Sequence, residues 1–335
     1  MTEQPDHGQL MNVFSRIWMI GVGRLGLALG SRIAESDEVG TITFVGRSSG
    51  APEYPVFRRA KVAYSHGFPT GEPSVDLQAG FPASSAAPSP VVRSTETLTE
   101  PPTGLPTLVI IAVPDGAITA VAADLAAYLS ARQAPTVPVL HTSGALGPEA
   151  LLPLSEQGHP VGSLHPLIAV SDAVESAGSF SRAWFGVGGE GEAVRAAERL
   201  VLLVDGRVLR VDSAKRPVYH AAAVFASNYI VALLALAEDL MTEAGAEREA
   251  AREALTELAR GAVDSAALMS PAGALTGPIS RGDDVTVNLH LSGLSPEMSP
   301  LYSGLGRITL GLARIRGLNP QAADRIARAL EAEVL

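Results

Sequence analysis

Residues Arg16–Ile33 read RIWMIGVGRLGLALGSRI, and this stretch decides the fold. A short apolar run, Arg16–Ile20, enters the turn Gly21-Val22-Gly23-Arg24-Leu25-Gly26. The chain leaves it as a helix whose apolar Leu25, Leu29 and Ile33 recur every four residues. Thr41–Val45, TITFV, supplies a second strand and closes a β-α-β unit. Each glycine has its own physical reason. Gly21 permits a tight turn, Gly23 lets the backbone approach a pyrophosphate, and Gly26 lets helix and strand pack closely. The helix N-terminus offers free N–H groups and a partial positive charge to phosphates. The glycine spacing alone is a weak signal. The strand before it, the helix after it and the second strand at the right distance make it a dinucleotide-binding signal.

The second strand runs into Val45-Gly46-Arg47-Ser48-Ser49. A site that prefers NAD places an Asp or Glu there for the ribose hydroxyls, and none is present. Arg47, with Ser48 and Ser49, is suited instead to a 2′-phosphate, which favours NADP(H) over NAD. Arg24 and Leu25 in the turn are cofactor-binding candidates, as are Val113 and Pro114 after a later strand.

The chain has 335 residues, enough for two domains. Hydrophobic residues make up 47% and charged residues 18%, a globular composition. With no cysteine, disulfides, thiolate metal sites and a cysteine nucleophile are excluded, which suits a reducing, cytoplasmic setting. A net charge of −10 argues against a nucleic-acid surface. The N-terminal stretch does not read as a secretion signal. The longest apolar run, Ala221–Ala237, is interrupted by Ser227 and Asn228 and is expected to be a buried helix, not a membrane span.

Strands and helices alternate from 14 to 190: TLVIIAVP, then a helix through DGAITAVAADLAAYLS, then VPVLHTSG, VGSLHPL and AWFGVGG. This predicts a Rossmann-type parallel sheet domain. Within it, 50–106 is a long connection holding ten of the 24 prolines, with a short element near Phe57–Tyr64. From 191 to 335 the pattern is helical, with helices over about Glu192–Leu203, Ala214–Ala244, Arg248–Met269, Ser299–Arg314 and Pro320–Glu333. The fold expected is therefore α/β, a parallel-sheet domain followed by an all-helical C-terminal domain.

Several motifs together, IIAVPDGAI, LHTSGALG, VGSLHPL, the segment Tyr219–Tyr229 and LTGPISRGD, resemble the bacterial proteins that pair a Rossmann-like domain with a DUF2520 domain. The resemblance spans nearly the whole chain apart from the proline-rich connection. It places the chain near pyrroline-5-carboxylate reductase, 6-phosphogluconate and β-hydroxyacid dehydrogenases, and ketopantoate reductase. It implies reduction of a small oxo or imino acid, with ketopantoate the named candidate, and a homodimer through the helical domain. On the helix that carries Lys and two Asn residues in classical ketopantoate reductases, His220 takes the Lys position, Val224 the first Asn and Asn228 the second.

Hydride transfer to a carbonyl needs a proton donor, a group that orients the carbonyl and a cation for the acid. His220 and Asn228 share a broad side of one helix and are candidates for the first two roles; Lys215 is an alternative donor. Tyr219 serves equally as core. Arg281, whose guanidinium can grip two carboxylate oxygens, is the carboxylate candidate, and Asp283 could orient it. His165 and Ser143 sit at strand ends, where they could meet substrate and nicotinamide. His141 reads as structural, and Asp115 as a helix cap. No HExxH, EF-hand or GxSxG pattern occurs. A dinucleotide-binding sensor without turnover and a deazaflavin-linked NADP oxidoreductase are alternatives.

Overall fold

The structure, a computed structural model, describes residues 13–68 and 104–331. The expected connection at 50–106 therefore lies largely outside the described residues.

β1 (Phe14–Ile20), α1 (Arg24–Ile33) and β2 (Val39–Gly46) form the unit expected around the glycine turn. The element expected near Phe57–Tyr64 resolves into a 3-10 turn, Pro55–Arg58, and β3 (Val62–His66). There follow β4 (Leu108–Ile111), α2 (Ile118–Ala131), β5 (Val139–His141) and β6 (Val161–Pro166). β7 (Trp184–Gly189), α3 (Gly191–Leu203) and β8 (Arg207–Arg210) complete one sheet, ordered β3-β2-β1-β4-β5-β6-β7-β8.

The sheet is parallel except between β6 and β7. That antiparallel pair departs from the purely parallel sheet expected. Two short helical turns, Ala173–Ser176 and Ala177–Phe180, lie between β6 and β7, so no crossover to the opposite sheet edge is made. β8 was not anticipated, because RVLR carries no strand alternation. Its Arg207 and Arg210 are exposed, as charges on an edge strand often are.

The sheet is covered on both faces. One apolar cluster joins Leu27, Leu29 and Ile33 of α1 and Leu200 of α3 to Ile17, Met19 and Phe44. Val121, Leu125 and Leu129 of α2 pack with Trp18, Val109 and Ile111 in a second. Each fully buried aliphatic side chain contributes about 1.5–3 kcal/mol, so α1 is fixed mainly by this face.

The chain forms two compact units, one ending at Asn228 and the other running Tyr229–Leu335. The division falls later than the boundary expected at 190, because α3 packs on β6 and β7 and β8 extends the sheet. After β8 come α4 (Arg216–Ala226) and α5 (Asn228–Glu243), with Ser227 between them at φ −130° and ψ −75°. The second unit holds the rest of α5, then α6 (Arg248–Met269), α7 (Asp284–Gly293), α8 (Ser299–Ile315) and α9 (Pro320–Glu331). Its core joins Val287, Leu291, Leu310, Ile326 and Leu330.

The expectation of a buried helix over Ala221–Ala237 is corrected. Arg216 is the only buried residue of α4, and α5 buries none. These helices are apolar in sequence, but among the described residues no apolar layer covers them. By length and composition alone, Ser213–Glu243 is also long and apolar enough to cross a membrane. That is weak evidence, and the break at Ser227 and the buried Arg216 count against a span.

Candidate functional site

The glycine turn has the geometry its sequence implied. Gly21 adopts φ +113°, and a Cβ there would collide with the Ala112 carbonyl. At Gly26 a Cβ would strike the Gly21 carbonyl. At Gly23 a Cβ would meet nothing within 4 Å. Two glycines thus close the turn against β4, and the third leaves an open face. Gly23 caps α1 with no side-chain hydrogen bond, and the first turn of α1 carries no acidic residue. Free amides, a helix N-terminus and open space fit a dinucleotide pyrophosphate.

This turn lies where the sheet order reverses, between β1 and β4, at the carboxyl ends of the strands. Arg47 and Ser48 stand exposed just beyond β2, and Tyr64 donates a 2.7 Å hydrogen bond to the Ser48 carbonyl. That bond orders the loop in which a 2′-phosphate would sit. Val113 lies 3.2 Å from the position of a Gly21 Cβ, and Pro114 is exposed beside it. Arg24 donates to the Ser171 carbonyl at 3.0 Å, and Leu25 packs on the core. These cofactor candidates all gather at one end of the sheet.

A second concentration of polar groups lies at the carboxyl end of β5 and β6. Arg216, Tyr219 and His220 occupy i, i+3 and i+4 of α4, so they share one helix face. The Tyr219 hydroxyl and His165 Nδ1 share a 2.9 Å hydrogen bond. The His165 and His220 rings stand edge to face with centroids 5.6 Å apart. Both imidazoles abut Gly144, where a Cβ would collide with His220 Nδ1 and come within 2.9 Å of His165. A Cβ on Gly186 would likewise strike the Tyr219 hydroxyl. Glycine at 144 and 186 is what lets three polar rings approach the sheet.

Arg216 is fully buried, at 0% exposure. Nη1 approaches the Gly186 carbonyl at 3.5 Å, and Cζ lies 5.3 Å from the Tyr219 ring centroid. Nε and Nη2 have no hydrogen-bond partner, and neither do Ser163 Oγ or His220 Nδ1.

Burial sets the charge states. His165 is lowered to about 4 by burial first, then by His220 and Arg216. His141 is lowered to about 4, again chiefly by burial. Both are neutral near pH 7. Burial also raises Tyr219, against the pull of the Arg216 charge, and lowers Arg216. Among the described residues, no group of three or more His, Asp or Glu is placed to hold a metal ion.

The other expected site residues fall elsewhere. Lys215 is exposed at the junction before α4. Asn228 opens α5 and is exposed. Ser143 Oγ accepts from the amides of Ala145 and Leu146, a turn-forming role instead of a free hydroxyl. His141 Nδ1 accepts from the Ser143 amide while Nε2 donates to the Gly147 carbonyl, consistent with a structural histidine. Asp283 caps α7 through the amide and hydroxyl of Thr286. Arg281 is exposed at the end of a helical turn, Pro278–Arg281, in the second unit.

Sequence reasoning missed Arg216 and Ser163. The alternation of VGSLHP, which puts Ser163 and His165 on one strand face, and the alternating glycines of AWFGVGG were the available signals.

Comparison with known proteins finds two domain matches. A Rossmann-like domain model matches residues 83–166, and the model of a domain of unknown function, DUF2520, matches residues 183–309. No curated protein matches the chain. Among solved structures, a Thermotoga maritima protein is 20% identical with a TM-score of 0.61, covering 90% of this chain and 99% of that one. A Bacteroides fragilis protein named an NADP oxidoreductase is 18% identical with a TM-score of 0.60, covering 90% and 98%. Pyrroline carboxylate reductase of Plasmodium falciparum, with NADP bound, is 12% identical with a TM-score of 0.53, covering 96% and 100%. At these identities the likeness is one of fold. The chain thus matches a Rossmann-like domain and, after it, a DUF2520 domain.

Proposed function

We propose that the protein is an NADP(H)-dependent oxidoreductase that reduces a C=O or C=N group of a small oxo or imino acid. One observation carries this reading: the open glycine turn and the His165–Tyr219–His220 cluster lie at the same edge of one sheet. Neighbouring strands are about 4.8 Å apart, so the end of β6 lies three intervals, about 14 Å, from that of β1, which leads into Gly23. A dinucleotide whose pyrophosphate rests on Gly23 covers much of that span, and the imidazoles of His165 and His220 reach back over Gly144 at the end of β5. The NADP-bound reductase of the same fold supports this cofactor, as do Arg47 and Ser48 beyond β2.

Bound NADPH would supply the hydride. The chain's own residues do the rest. The turn Gly21–Gly26 and the start of α1 hold the pyrophosphate. His220 faces Gly144 at the end of β5 and gives a proton to the substrate oxygen or nitrogen as the reduced carbon forms. Neutral His165, hydrogen-bonded to Tyr219, fixes the edge of the His220 ring without adding a competing charge. Lys215 and Asn228, both exposed, have secondary roles in this scheme at most.

Ketopantoate is the first substrate to test, from the family resemblance. The pyrroline carboxylate reductases of like fold put cyclic imino acids beside it. The experiment is NADPH titration by fluorescence, then turnover across a panel of oxo and imino acids. NADPH binding with turnover of a panel member supports the proposal. Tight binding with no turnover favours a sensor, and preference for a reduced deazaflavin favours the third alternative. No NADPH binding overturns the reading. The compartment it implies is the reducing cytoplasm.

A homodimer through the helical unit belongs to the same proposal. Val231 is 67% and Ile308 64% exposed, and α5, α7 and α8 frame an apolar groove of about 520 Å³ lined by Leu233, Leu240, Leu289 and Leu305. Contiguous apolar surface of this kind marks an interface, and a two-fold pair of identical chains is the commonest solution.

A further inference from the structure

Four buried polar atoms lack partners in one small region of the first unit: Arg216 Nε and Nη2, Ser163 Oγ and His220 Nδ1. Their placement follows from β6 and β7. Ser163 pairs with Gly188 and His165 with Gly186 across the antiparallel ladder. Successive odd positions of β6 share a face. A Cβ on Gly188 would lie 2.9 Å from Ser163 Oγ, and a Cβ on Gly186 would overlap the Tyr219 hydroxyl. Gly186 therefore leaves space over this part of the sheet to Tyr219 of α4, and Gly188 leaves it to Ser163 and the segment that leads into α4.

The guanidinium is the unusual member. A buried N–H group without a partner costs about 1–3 kcal/mol, and more on a charged group. A buried cation is normally paired. Among the described residues, no carboxylate lies within salt-bridge distance of Arg216. The acid nearest in effect, Glu149, already accepts the Gly147 amide. What the region presents is a positive charge, two unused N–H donors and a hydroxyl, which together are complementary to a carboxylate.

We infer that Arg216, with Ser163, is the receptor for the substrate's carboxylate. This deepens the reductase reading and rests on it. It moves the carboxylate-binding role from Arg281 to a residue that shares a helix face with the proton donor. Arg216 and His220 are four apart, with Cβ atoms about 6 Å apart. A carboxylate on Arg216 and a proton-accepting atom at His220 must then belong to one compact group. The substrate class is an acid whose carboxylate is directly attached to the reducible carbon, a 2-oxo or 2-imino acid. His165, Tyr219 and His220 are only partly buried, so the region reaches solvent through them.

The test uses the full chain saturated with NADP, with oxamate as a non-reducible probe and neutral oxamide as the control, followed by calorimetry. Wild type is expected to bind oxamate and not oxamide. Arg216→Met should lose about 30-fold or more in oxamate affinity while keeping its NADPH affinity within about twofold, at roughly tenfold per 1.4 kcal/mol. Arg216→Lys should recover part of the loss, and Ser163→Ala should weaken oxamate about fivefold. Oxamate affinity equal to wild type in a folded Arg216→Met overturns the inference. If that variant does not fold, unchanged affinity in both Arg216→Lys and Ser163→Ala overturns it. Wild type that binds NADPH but not oxamate also overturns it, leaving the cofactor reading intact. Wild type that fails to bind NADPH overturns the cofactor reading instead, and oxamate titration of the cofactor-free chain then decides the carboxylate receptor alone.

Discussion

The two units treat apolar surface in opposite ways. In the first, α1, α2 and α3 each press an apolar face on the sheet, and the central strands are fully covered. In the second, α5 buries none of its residues and α6 only Ala251, although Val231, Leu258 and Val263 are apolar. The first unit is thus complete in its apolar packing, while the second is incomplete, with apolar side chains of α5 and α6 left exposed among the described residues. Chemistry follows the same division. The polar groups that lack partners at the end of β6 belong to the complete unit, where a rigid sheet holds them in place.

The largest effect should come from breaking the complete unit at its turn. Gly21→Val puts a branched side chain at φ +113° and against the Ala112 carbonyl. Strain of about 1–3 kcal/mol plus that backbone clash should abolish NADPH binding and lower Tm by several degrees, read by fluorescence titration and thermal melting. A variant that binds and melts like wild type would remove the geometric basis assigned to the turn.

The corresponding break in the incomplete unit should act on assembly. Val231→Glu places a charge on the exposed apolar face of α5. Sedimentation is expected to show a shift from dimer to monomer with the NADPH affinity retained. Loss of cofactor binding in step with dissociation would tie the cofactor site to the dimer and contradict this expectation.

Acid should weaken the complete unit selectively. His141 is neutral when folded, with its pKa lowered from 6.5 to about 4 by burial. Between those values the unfolded chain binds the extra proton, so stability is fully present above about pH 6.5 and is lost as pH falls toward 4. The loss is about 3 kcal/mol for a shift of this size. Urea melts at pH 7 and pH 4.5 measure it, and His141→Asn should flatten the dependence. The smallest effect belongs to the cap of α7: Asp283→Ala should cost about 1 kcal/mol in a chemical melt and leave oxamate and NADPH binding unchanged.

How much of this was legible in the sequence depends on the range of the interactions. The glycine turn was, because Gly21, Gly23 and Gly26 act on their immediate neighbours and the flanking strand and helix announce themselves by period. The helices Arg248–Met269 and Ser299–Ile315 were legible for the same reason. Arg216 was not: an arginine beside a proline at a helix start resembles a surface residue, and its burial beside the Gly186 carbonyl comes from tertiary contact. Asn228 misled in the opposite sense. Its apolar neighbours implied a buried helix, but among the described residues none of that helix is buried. The reversal of β7 was hidden because its apolar character is the same in either direction.

The most direct test of the central claim, that the turn is a dinucleotide site, is an NADPH titration of wild type against Gly23→Val. Gly23 has φ −73°, and a Cβ there meets nothing within 4 Å, so the fold should tolerate the change. The account predicts that wild type binds NADPH and that the variant, with an unchanged Tm, loses at least about tenfold in affinity as the side chain fills the pyrophosphate's place. Equal affinity in the two proteins, or no binding by wild type, would contradict it.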